Sequence, residues 1–146
     1  MKRSSTHIAY LVLGTCFLVL GALTVLNVVA AWRVGGVFLL SASTYAAMNF
    51  LIAYGLFMRE QWLLYAFAFN LAGIVVMLST SILLQGMQGI NPLFYTLALG
   101  INALLVGFLY YTHARTHRSV EGNRAGVAFI LLWVAMFGYT MVGSLS

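Results

Sequence analysis

Acidic residues are almost missing from this 146-residue sequence: Glu60 and Glu121 are the only two, and there is no Asp. With seven Lys or Arg, charged residues reach 6% of the chain, against about 25% in ordinary soluble domains. So low a charge content, beside 63% hydrophobic residues and a mean hydropathy of +1.01, excludes a water-soluble globular fold. The lone Cys16 excludes a disulfide framework, a four-cysteine zinc module and vicinal-thiol redox chemistry within these residues. A single Pro and long apolar runs exclude collagen-like and disordered classes. No dinucleotide fingerprint, phosphate loop or HExxH pattern occurs.

What is present is a series of apolar segments of membrane-crossing length. A spanning helix needs about 20 mainly apolar residues. Reading between the charges predicts five, at Ile8 to Ala31, Val37 to Met58, Trp62 to Leu84, Leu93 to Thr112 and Val127 to Leu145. The expected fold is therefore all-α, an integral membrane bundle of five transmembrane helices forming one domain over residues 1–146. Gly35 and Gly36 suit the tight turn between the first two spans. Asn91 before Pro92 reads as an N-cap and first helical position, with Gly86 and Gly89 loosening the chain ahead of it.

Orientation follows from the cations. Lys2, Arg3, Arg59, Arg115, Arg118 and Arg124 fall on the side of the N-terminus, and Arg33 alone falls on the other. The positive-inside rule then puts the N-terminus in the cytoplasm and the C-terminus outside, most simply across the cell membrane. The same six cations are expected to contact anionic lipid headgroups. Lys2 and Arg3 resemble a signal n-region, but the following apolar stretch is about twice the usual h-region, which predicts a retained first helix. Leu13-Gly14-Thr15-Cys16 is a poor echo of a lipoprotein cleavage box, and the apolar run continues past it.

No Asp, Glu, Lys, Arg or His falls inside the five expected spans. Intramembrane ionisable groups mark proton relays, ion pathways and voltage sensors, so such mechanisms lack a working part here. A serine or threonine nucleophile lacks a base at bilayer depth, which argues against an enzyme. Glu60 beside Arg59, and Glu121 between Arg118 and Arg124, read as charge balance among headgroups.

Three polar sets remain. His113 and His117 are four apart and would share a face if the fourth helix continued, with His7 as a third edge ligand for a metal or haem; the simpler reading is a basic interfacial segment. Asn49, Asn70 and Asn102 lie nine, eight and ten residues from the cytoplasmic ends of their helices. At 1.5 Å per residue that is one layer at about 12 to 15 Å depth. Amides there must face other helices or a wet cavity, as helix glue or as a solute path. The outer half carries many hydroxyls, including Thr24, Ser41, Ser43, Thr44, Tyr45, Ser79, Thr80, Ser81, Tyr95, Thr96, Tyr139 and Thr140, with Asn27 in the same zone.

Small residues predict helix contacts: Ala42, Ala46, Asn49 and Ala53; Ala66, Asn70 and Gly73; Thr96, Gly100, Ala103 and Gly107. The fourth helix, with Asn102 on one side and its glycine seam on another, is expected at the bundle centre. Trp32, Trp62, Tyr110 and Tyr111 read as interfacial belt residues, and Trp133 should face a helix, a partner or a bound molecule. A 53-residue shift superposes Asn49 on Asn102, but its few matches stay at chance level.

The leading expectation is a membrane protein without chemistry of its own, an accessory or assembly subunit of a larger membrane complex or a homo-oligomeric scaffold, holding no cofactor. The alternative is a passive channel or facilitator for a small neutral solute through the Asn layer. A third reading is a haem-, pigment- or quinone-binding subunit. Nucleic acid is not an expected partner, since the cations serve orientation and headgroups.

Overall fold

The structure, a computed structural model, describes residues 5–32, 36–85, 91–113 and 116–145. It contains five helices: α1 (Ser5–Ala31), α2 (Gly36–Met58), α3 (Trp62–Gln85), α4 (Pro92–Thr112) and α5 (Val120–Leu145). Among the described residues there is no strand, only an isolated bridge between Glu60 and His117. All five helices are long and apolar enough to cross a membrane. Their 21 to 27 residues give lengths of about 30 to 40 Å, against a hydrocarbon core of about 30 Å. Lys2, Arg3, Arg33, Gly35, Gly86, Gly89 and Arg115 lie outside the described residues, as do the side chains of Ser81, Tyr139 and Thr140.

The fifth helix differs most from expectation. It begins at Val120 and not at Val127, so Glu121 and Arg124 are helical and not part of a loop. Ser119 supplies the reason: its hydroxyl accepts from the Gly122 amide at 2.8 Å, and its carbonyl accepts from Asn123 at 3.1 Å. That is an N-cap, which starts a helix ahead of the apolar run. Asn91 behaves similarly at α4, its carbonyl accepting from Tyr95 at 3.2 Å with Pro92 as the first helical residue.

The chain forms two compact units, Met1–Trp62 with His117–Ser146, and Leu63–Thr116. In the first, α2 packs against both α1 and α5. The α1 contact pairs glycines with aromatic rings. A Cβ on Gly14 would meet the Phe57 ring at 2.9 Å, and one on Gly21 would meet the Phe50 ring at 3.0 Å. Both pairs are seven residues apart, two helical turns, so two rings on α2 lie across two bare backbone patches on α1. Ala46, Met48, Ile52, Ala53 and Leu56 are also buried on α2. On α5, Gly122, Gly126, Phe129 and Trp133 form the buried stripe.

Within the first unit the helix contacted on two sides is α2. In the second unit Thr96, Gly100, Ala103 and Gly107 of α4 are exposed, with nothing described within 4 Å of a Cβ added at Gly100 or Gly107. Periodicity shows that a seam exists, not whether a neighbour covers it.

Candidate functional site

The most organised polar cluster sits where α2 turns into α3 and the chain enters α5. It begins with how α2 ends. Arg59 has φ +52°, its amide donates to the Leu56 carbonyl at 3.2 Å, and the Glu60 amide donates to Gly55 at 2.9 Å. This paired closure is a Schellman motif, with Arg59 in the left-handed position that glycine normally takes. The turn then grips a distant segment: Gln61 donates to the His117 carbonyl and His117 donates to the Arg59 carbonyl, each at 2.8 Å.

That pairing delivers the Glu60 carboxylate to the start of α5. Glu60 is only 4% exposed. Its Oε1 accepts from the Ser119 hydroxyl at 2.6 Å and its Oε2 from the Ser119 amide at 3.3 Å. Ser119 in turn accepts from Gly122, so a relay runs from the α5 backbone to a buried carboxylate. The positive end of the helix dipole and two hydrogen bonds offset the cost of burying the charge. Gly122 makes room for it, since a Cβ there would collide with Glu60 Oε2. Glu60 is therefore a buried clamp and not a headgroup charge, correcting the expectation. The missed signal was local: Ser119 with Glu121 in the first turn is a helix-start pattern.

Trp62 closes the cluster. At the first position of α3, it is 7% exposed, its ring 5.8 Å from Phe129 and its Cβ close over Gly126. Its indole nitrogen is buried with no hydrogen-bond partner among the described residues. Trp32, Tyr110 and Tyr111 are strongly exposed, and Trp133 is buried with its ring stacked on Phe137.

In the second unit, Asn70 donates its amide to Asn102 Oδ1 at 2.7 Å, and Asn102 donates to the Ala98 carbonyl at 2.8 Å. Two of the three asparagines are thus brought together across α3 and α4, while Asn49 is half-buried on α2 in the first unit. The hydroxyls of Thr15, Thr24, Ser43, Thr44, Ser79 and Thr80 bond the carbonyls four residues back at 2.7 to 2.9 Å.

The histidine pair does not form the expected face. Helix α4 stops at Thr112, and His117 lies in the bridge with Glu60, because the Thr116 amide and hydroxyl fold back onto the His113 carbonyl. His7 is half-buried on α1. Among the described residues no three His, Cys, Asp or Glu groups gather to hold a metal. Arg59 is half-buried, and Arg118 and Arg124 are exposed.

Comparison with known proteins found no match. Neither a family model, nor a curated protein, nor a solved structure is similar to this chain.

Proposed function

We infer that this protein is a polytopic membrane protein without chemistry of its own, an accessory or assembly subunit of a larger membrane complex or a homo-oligomeric scaffold. The observation that carries the reading is how its helices use their polar groups. Asn70 bonds Asn102, Asn102 bonds its own backbone, and six hydroxyls bond carbonyls one turn back. Each of these hydroxyls spends its single donor proton on the helix's own backbone. What the helices do offer is apolar or small. Ile8, Val12, Val19, Leu23 and Leu26 are exposed on α1, and Thr96, Gly100, Ala103 and Gly107 on α4. In lipid, small-residue faces let another backbone approach closely.

In this reading the N-terminus is cytoplasmic, the C-terminus is outside, and the membrane is the cell membrane, with anionic lipids at the cytoplasmic face. Purification from native membranes in mild detergent, with chemical cross-linking, tests it. The expected result is a co-purifying membrane chain or a homo-oligomer. A lone monomer at native expression level overturns the reading.

A further inference from the structure

We propose that Asn49 and Tyr45 of α2 form the contact between two copies of this chain, the Asn49 amides hydrogen-bonding to each other across a two-fold axis. The inference rests on the membrane reading above and makes its homo-oligomeric form specific. Both side chains lie on one stripe of α2, continued by Ile52 and Leu56 at steps of four, three and four residues. The stripe changes along its length. Leu56 and Ile52, toward the cytoplasmic end, are 0% and 6% exposed, whereas Asn49 is half-buried and Tyr45 is 51% exposed. The inner part of the stripe is thus covered within the chain, and the outer part stays open.

Hydrogen bonding selects the partner. Among the described residues neither Asn49 nor Tyr45 makes a hydrogen bond, whereas their neighbours Ser43 and Thr44 are bonded to the Leu39 and Leu40 carbonyls. These two side chains are the exception to the self-satisfied polar groups of the helices. Asn49 stands nine residues from the end of α2, about 13 Å deep, where lipid tails offer neither donor nor acceptor. Asn70 and Asn102, the other amides expected at that level, are spent on each other and on the Ala98 carbonyl. A primary amide carries both donor and acceptor, so it is its own complement. A two-fold axis along the membrane normal keeps both copies in one orientation and sets each residue opposite itself at one depth. A second copy therefore supplies what Asn49 lacks, as a lone Asn does when it sets register and strand number in a coiled-coil seam. No Asp, Glu, Lys, Arg or His lies on α2, so charge neither opposes the pairing of two like surfaces nor calls for a partner of opposite sign.

Energy transfer between copies labelled after Ser146, in liposomes over a range of protein-to-lipid ratios, gives the dimer dissociation constant. Asn49→Leu is expected to raise it about three- to twentyfold, the range for one interhelical hydrogen bond. Asn49→Leu breaks no described bond within the chain, so its melting midpoint in dilute detergent should match the unmodified protein. Asn70→Leu should do the reverse, lowering the midpoint and leaving association unchanged. Disulfide trapping locates the contact. In a Cys16→Ser background, Tyr45→Cys should oxidise to a dimer, and Val76→Cys, at similar depth on α3 and 52% exposed, should not. A Val76→Cys dimer equal to the Tyr45→Cys one, or a different chain captured by Tyr45→Cys in native membranes, overturns the contact. Association that Asn49→Leu leaves unchanged sinks the contact alone, whereas a monomer at every ratio sinks the scaffold form of the reading with it.

Discussion

At the scale of single residues, Glu60 and Gly122 depend on each other. The carboxylate occupies the space a Gly122 side chain would need, so the two positions should be strongly coupled. Gly122→Ala is expected to destabilise the protein by about 2 kcal/mol, as overpacking displaces the carboxylate. Glu60→Ala should cost about 2 kcal/mol, the range for hydrogen bonds to a charged group. In the Glu60→Ala background, Gly122→Ala should lose most of its cost. Thermal unfolding in mild detergent followed by circular dichroism measures all four proteins, and additive effects would refute the packing. The clamp was only partly legible in the sequence. The Ser119 cap leaves a local pattern, but its carboxylate partner lies 59 positions away and leaves none.

At the scale of helix pairs, two kinds of glycine are distinguished by what covers them. Gly14 and Gly21 lie under Phe57 and Phe50, so Gly21→Leu should separate α1 from α2 and cost about 2 kcal/mol or more. Gly100 and Gly107 have nothing described beside them, so Gly100→Ala should be neutral or stabilise the fold by up to about 1 kcal/mol through helix propensity. Melting midpoints should rank the two variants in that order. The amide pair belongs to the same scale. Asn70→Leu and Asn102→Leu should each cost roughly 0.6 to 2 kcal/mol, and the double variant should show coupling in a thermodynamic cycle. Helical pitch makes the Asn70 and Asn102 levels readable in advance. Which helices pair is not: Asn49, expected in the same layer, lies on α2 in the other compact unit.

At the scale of the whole molecule, the cations supply the testable claim. Six of seven Lys or Arg fall on one side under the five-span reading. A reporter enzyme active only outside the cytoplasm should therefore work when fused after Ser146 and stay silent when fused after Arg124 in a truncated chain. The opposite pattern would reverse the proposed topology. Added Arg at position 36 should lower the fraction of correctly oriented protein, since it opposes the bias.

Composition and charge spacing alone determine that this chain is helical and apolar, with five segments of spanning length, because length and hydropathy are local quantities that each segment carries by itself. The tertiary structure decided what depends on contacts between distant positions. It buried Glu60 against Ser119, packed Trp62 against Phe129, and extended α5 back to Val120. It also covered the α1 glycines with rings from α2 and left those of α4 open. Local pattern records what a residue can do at its own position, and only packing determines which neighbour it meets.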